Sequence, residues 1–152
     1  MLTSTSAFAR TTIASTIIII HKSFHQHCRV FCSRPKPRDV ILFPGQGSQF
    51  VGMAASLAKM PVVKQLFETA NKILGYDLLE LCLNGPKTEL DRTVYCQPAV
   101  FVASLAALEK YKEMQGNGWF ENQSIVTAGF SVGELAALVL GNALAFEDGN
   151  KS

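Results

Sequence analysis

The chain has 152 residues, 48% apolar and 17% charged, which fits one modest soluble domain and excludes a disordered or fibrous chain. Its net charge of +2 is unevenly placed: Arg10, Lys22, Arg29, Arg34, Lys36 and Arg38 precede the first acid, Asp39, so residues 1–38 carry +6, and the remaining eight of the 14 bases face all 12 acids, for −4. The body has no basic stripe, so no nucleic-acid partner is expected.

Residues 1–38 are basic, free of acids and rich in Ser and Thr, the composition of a mitochondrial transit peptide, which is removed rather than folded. Arg29-Val30-Phe31 before Cys32-Ser33 resembles a matrix-processing site, so the mitochondrial matrix is the expected location. Ile13 to Ile20 is an apolar core that a secretory signal could also carry, but Lys22 follows closely and no A-x-A-like cleavage site does. As a helix this run reaches about 12 Å against a hydrocarbon core of about 30 Å, so no membrane span is expected. His25, His27, Cys28 and Cys32 could be drawn as a zinc tetrad, yet their segment has no evident fold to hold ligands, and no metal site is expected. Cys82 and Cys96 lie in apolar body segments and read as small buried residues in a reducing compartment.

Pro35-Lys36-Pro37-Arg38 is a linker, and the domain, residues 39–152, begins with the apolar run Asp39 to Pro44, of the kind buried in a parallel sheet. Gly45-Gln46-Gly47-Ser48-Gln49 follows as a loop whose glycines let backbone N–H groups approach a ligand. It is neither a dinucleotide fingerprint, since Phe50 stands where the third glycine belongs, nor a phosphate loop. Val62, Val63, Leu66, Phe67, Ala70, Ile73 and Leu74 recur at helical spacing up to a Gly75 cap and read as core. Leu78 to Leu83 predicts a short helix closed by Asn84-Gly85-Pro86, and Thr88 to Thr93 a polar turn or helix. Gln97 and Pro98 open the next predicted helix, with Phe101, Leu105 and Leu108 on one face and a stop at Gly116-Asn117-Gly118.

Ile125, Val126 and Thr127 then predict a strand, and Glu134 to Leu140 an apolar helix. Between them Gly129, Ser131 and Gly133 form Gly-x-Ser-x-Gly, the pattern of a nucleophile elbow, in which a strand turns so sharply into a helix that the central residue is strained and lifted clear. Glycines two before and two after Ser131 remove side chains that would collide where the two legs approach. Ser131 is the candidate nucleophile; an ordinary strand-to-helix turn is the bland alternative. The helix N-terminus favours an oxyanion there, and the Val132 N–H is the natural donor. Strand, several helices, strand, helix is the order of an α/β protein with parallel strands flanked by helices, and it places the Gly45–Gln49 loop and Ser131 at one crevice.

Phe43-Pro44-Gly45-Gln46-Gly47-Ser48-Gln49 with Gly52-Met53, then Gln97-Pro98-Ala99, then Gly129-Phe130-Ser131-Val132-Gly133-Glu134 resemble the malonyl-CoA:acyl carrier protein transacylases, from about Val40 to about Asp148. With the leader, the chain looks like the mitochondrial type. The resemblance implies an acyltransferase-type α/β domain and ping-pong transfer of malonyl from coenzyme A, through an acyl-serine at Ser131, to the phosphopantetheine thiol of acyl carrier protein in fatty acid synthesis. It implies no cofactor beyond those two substrates. It also implies that the N–H groups of Gln46 and Val132 form the oxyanion hole and that Gln97 lies near the site.

Many family members carry His where this chain has Phe130. The resemblance covers less than half of a family member, and the downstream histidine that activates the serine and the arginine that pairs with the malonyl carboxylate are missing, so a truncated isoform or partial gene model, inactive alone, is expected. The residues say the same: His21, His25 and His27 all precede Asp39, and the body's single arginine, Arg92, sits in a polar segment and reads as surface. A noncatalytic fragment that binds acyl carrier protein or a partner stands as the alternative. A serine esterase of the α/β-hydrolase type is a third reading, disfavoured by the Phe43–Gln49 motif and the absent histidine.

Overall fold

The computed structural model describes residues 9–10, 18–21, 39–116, 118, 120 and 125–151. Among these residues ten elements follow in order: β1 (Ala9–Arg10), β2 (Ile18–His21), β3 (Asp39–Phe43), α1 (Pro61–Leu74), α2 (Leu78–Asn84), α3 (Lys87–Leu90), α4 (Thr93–Gln115), β4 (Ile125–Gly129), α5 (Val132–Leu140) and α6 (Phe146–Gly149). One sheet runs β1-β2-β3-β4. The expected parallel pair is β3 with β4, in the register Asp39↔Ile125 through Phe43↔Gly129. That register brings the C-termini of both strands, and hence the two loops that leave them, to one end of the sheet.

The sheet begins ahead of Asp39, where the sequence reading starts the domain. Ile18–His21 pairs antiparallel with β3, Ile18 opposite Leu42 and His21 opposite Asp39, and Ala9–Arg10 pairs antiparallel with β2. Ile18–His21, rich in β-branched isoleucine, thus covers the edge of β3 that faces away from β4. His25, His27, Cys28 and Cys32 lie outside the described residues, among which no group of three His, Cys, Asp or Glu is placed to hold a metal ion.

α4 forms the centre of the core and departs from the sequence reading twice. It starts at Thr93, so Pro98 sits inside it rather than at its first turn. The missing N–H of Pro98 falls in the second turn and releases the carbonyl of Val94, a residue 59% exposed, so water can satisfy that carbonyl. Second, Ala99 through Leu108 are all buried, not only the face of Phe101, Leu105 and Leu108. Ala99, Ala103, Ser104, Ala106 and Ala107 are small enough for neighbours to close in on every side, and α1, α2, α3 and α5 all pack against this helix.

α1 buries Val63, Phe67 and Ala70 and ends on Gly75 in the left-handed conformation, as expected, but Leu66, Ile73 and Leu74 are half-buried and Val62, on the edge of the apolar face, is exposed rather than core. Asp77 caps α2, its Oδ1 accepting from the Glu80 N–H at 3.0 Å, while Asn71 Oδ1 accepts from the Leu78 N–H at 2.9 Å. Cys82 and Cys96 are buried free thiols, as their apolar surroundings suggest. Arg92 is exposed, its guanidinium 5.2 Å above the Tyr95 ring. Among the described residues no helix is long and apolar enough to cross a membrane.

The sheet's two faces differ. Asp39, Ile41 and Phe43 are buried on the same face as Ile125, Thr127 and Gly129, whereas Val40 and Leu42 are half-buried and Val126 and Ala128 exposed on the other. α5 packs against both β3 and β4, with Ala136 and Ala137 inward.

Candidate active site

β4 runs into α5 through Phe130 and Ser131, and the turn is as tight as Gly-x-Ser-x-Gly implies. A Cβ on Gly129 would collide with the Gly133 carbonyl and the Glu134 nitrogen, and one on Gly133 would lie 2.5 Å from both the Phe43 and Pro44 carbonyl oxygens. No side chain fits at either position. The turn is closed by Gly133 N–H donating to Phe130 O at 3.0 Å and Glu134 N–H donating to Ser131 O at 2.8 Å.

Ser131 itself stands at φ 54°, ψ −123°, a backbone region that non-glycine residues rarely adopt, and it is exposed. A strained, solvent-facing serine between a strand and a helix is the geometry of a nucleophile elbow. Val132 is the first residue of α5, where no helical carbonyl is available to its N–H, so that donor is free to serve a developing oxyanion beside Ser131.

The glycine loop meets the elbow at Gly45. A Cβ there would lie 2.6 Å from the Phe130 carbonyl oxygen, 2.9 Å from Phe130 Cδ1 and 3.3 Å from Ser131 Cβ, so Gly45 is glycine because the elbow occupies its side-chain space. Gln46 follows directly and is exposed. The loop is braced from within: Ser48 Oγ donates to Gly45 O at 2.9 Å, and the Gly47 N–H donates to Gln49 Oε1 at 2.8 Å. It is also braced from outside, by Gln49 Nε2 donating to Asp91 Oδ1 at 3.0 Å. Lys87 pairs with the other oxygen of Asp91, and the hydrogen bonds from Lys87 and then Gln49 hold that carboxyl below its usual range.

Ser131, Val132 and Gln46 are thus gathered at the end of β3 and β4, as the order of elements predicts. Gln97 is half-buried in the second turn of α4, and no hydrogen bond joins it to Ser131 or the glycine loop. Two features escaped the sequence. Gln49 belongs to a quoted motif, but its partner Asp91 carries no local signal. Gly45 reads as a ligand-facing glycine, yet its space is taken by Phe130. A separate cavity of about 180 Å³ lies at the far end of α5, lined by Leu66, Leu105, Lys112, Val139 and Phe146 among others. It does not reach the elbow residues.

Residues 40–152 match the family described as the acyl transferase domain. The chain belongs to that family. It is similar to the mitochondrial malonyl-CoA-acyl carrier protein transacylase of Mus musculus, 56% identical over 115 residues that make up 76% of this chain and 30% of the relative. Among solved structures it is similar to an acyl carrier protein S-malonyltransferase from Vibrio cholerae, with a TM-score of 0.64 and 42% identity over 74% of this chain and 35% of that one. A malonyl-transacylase solved in complex with its type II PKS acyl-carrier protein has a TM-score of 0.63 and 41% identity, covering 72% of this chain and 34% of its own. This acyl transferase chain therefore spans about a third of the length of the curated relatives it matches.

Proposed function

We propose that Ser131 is the acyl-carrying serine of a malonyl transfer from malonyl-CoA to the phosphopantetheine thiol of acyl carrier protein. The observation that carries this is the strained elbow at Ser131 with the Gly45 loop packed against it. The name of the mouse relative supplies the substrates. Ser131 Oγ attacks the thioester carbonyl; the tetrahedral oxyanion draws on the N–H groups of Val132 and Gln46; collapse breaks the C–S bond, coenzyme A leaves as the thiol with the serine proton carried to its sulfur by water, and the malonyl ester stays on Ser131. The carrier-protein thiol then attacks that ester and frees the serine. Gln97 is assigned a place beside the bound acyl group. No cofactor other than the two thioester partners is needed.

Residues 39–152 hold no histidine, so no imidazole within them can take the Ser131 proton. Loss of a triad partner costs about 10⁴ in kcat, which from a median near 10 s⁻¹ leaves about 10⁻³ s⁻¹. That rate labels the serine within hours and does not sustain enzymatic turnover. Incubation of the purified chain with malonyl-CoA, followed by peptide mass spectrometry, should show a malonyl ester on the Ser131 peptide, absent from Ser131→Ala. An adduct elsewhere, unaffected by Ser131→Ala, overturns the assignment. Rapid transfer to holo acyl carrier protein that Ser131→Ala abolishes overturns the expectation that the chain alone does not sustain turnover.

The +6, acid-free residues 1–38 and the mitochondrial name of the relative support a matrix location. A reporter fused to residues 1–38 should enter mitochondria; secretion or a diffuse cytosolic signal overturns this.

A further inference from the structure

Phe130 is the most exposed of the large apolar residues described, at 75%. Its main chain is nevertheless held firmly. The N–H donates to Phe43 O at 3.1 Å, and the carbonyl accepts from Gly133 N–H at 3.0 Å. A Cβ built on Gly45 would lie 2.6 Å from the same carbonyl oxygen and 2.9 Å from Phe130 Cδ1, so the near edge of the ring lies beside the glycine loop. A phenyl on a hydrogen-bonded main chain therefore stands exposed beside the glycine loop, next to Ser131 in the chain.

The chemistry of the substrates decides what this ring can carry. The π face of a phenyl is electron-rich, so it is a poor seat for the malonyl carboxylate and a good one for neutral methyl and amide groups. Both thioester partners present such groups in the same place, along the pantetheine arm that leads from the thioester out to solvent. We propose that Phe130 is a binding residue for the pantetheine arm, its ring carrying the arm's dimethyl and amide groups so that the thioester lines up with Ser131. This rests on the acyl-transfer reading and adds to it the residue that selects pantetheine thioesters over small esters.

The test is saturation-transfer NMR of pantetheine with the full chain. Transfer to the dimethyl protons is expected with the unaltered chain and with Phe130→Tyr. Binding should be about tenfold weaker in Phe130→Ala, the cost of one lost aromatic contact. Equal binding by Phe130→Ala, with its circular dichroism unchanged, overturns the proposal. A reading independent of any variant is the ring-proton resonances of Phe130, which shift as pantetheine is added; resonances that stay in place overturn it too. Coenzyme A and holo acyl carrier protein separate the two sources of the arm. Phe130→Ala should weaken both, and weakening of only one overturns the inference, because the arm is common to both. Malonyl labelling of Ser131 at an equal rate in Phe130→Ala and the unaltered chain sinks this inference alone. Failure of Ser131 to be labelled, with pantetheine still seated on Phe130, sinks the acyl-transfer reading instead.

Discussion

Gly133→Ala tests whether the elbow is as compressed as the structure makes it. The added Cβ would stand 2.5 Å from the carbonyl oxygens of Phe43 and Pro44 and 2.9 Å from the Phe43 carbonyl carbon, where real Cβ contacts essentially never fall below 3.0 Å. The obstructing atoms are backbone at the end of β3, tied into the sheet, so relief requires the first turn of α5 to back away by about half an ångström and to carry Ser131 off Gly45. Overpacking of this kind costs about 3 kcal/mol when no flexible side chain can yield. Against it stands a gain of about 1 kcal/mol, since alanine is the better residue inside a helix. The net expectation is a loss of about 2 kcal/mol with a slower labelling of Ser131. Gly141→Ala is the control: its φ is −78° and the nearest atom is Ala137 O at 3.4 Å, so it should gain about 0.5 kcal/mol. Urea unfolding followed by far-ultraviolet circular dichroism measures both. A Gly133→Ala chain at least as stable as the original, with unchanged labelling, would mean that α5 does not press on the end of β3.

Ser131→Gly should be about 1 kcal/mol more stable than Ser131→Ala in urea, because glycine relieves the strain at φ 54° that alanine keeps, while both abolish labelling; equal midpoints would show that the elbow stores no strain. Asp77→Ala should lose about 1 kcal/mol through the lost cap at the Glu80 N–H, and a thermal midpoint unmoved by it would contradict that role. Burial pushes the Cys82 thiol up from 9.0 to about 12, with a smaller contribution from the Asp77 charge. The folded state thus holds that proton more tightly than the unfolded one, so the thiol's contribution to stability is whole below pH 9 and is lost as pH rises from 9 towards 12. A steeper alkaline fall in the urea midpoint for the unaltered chain than for Cys82→Ala would match this, and superimposable curves would not.

The parts of this acyl transferase chain whose signals are local are legible in its residues alone. The Asp39–Phe43 strand, the α1 periodicity ending at Gly75 and the Gly129–Ser131–Gly133 crossing are each specified within a few turns of chain, because a short apolar run, a helical repeat with its cap and steric exclusion at a sharp turn act between near neighbours. Tertiary structure alone decided the rest. That α4 begins at Thr93 and is buried on all sides depends on the helices that surround it, which override the start signal of Pro98. That Ile18–His21 joins the sheet depends on an open edge of β3 that no pattern within 18–21 announces. Most consequential for the site, Gly45 is glycine because Phe130, far along the chain, occupies its side-chain space, and Gln49 is held by Asp91. Such contacts join segments brought together only by the parallel pairing of β3 with β4 and the packing beneath it, and a local pattern carries no record of what the fold will set against it.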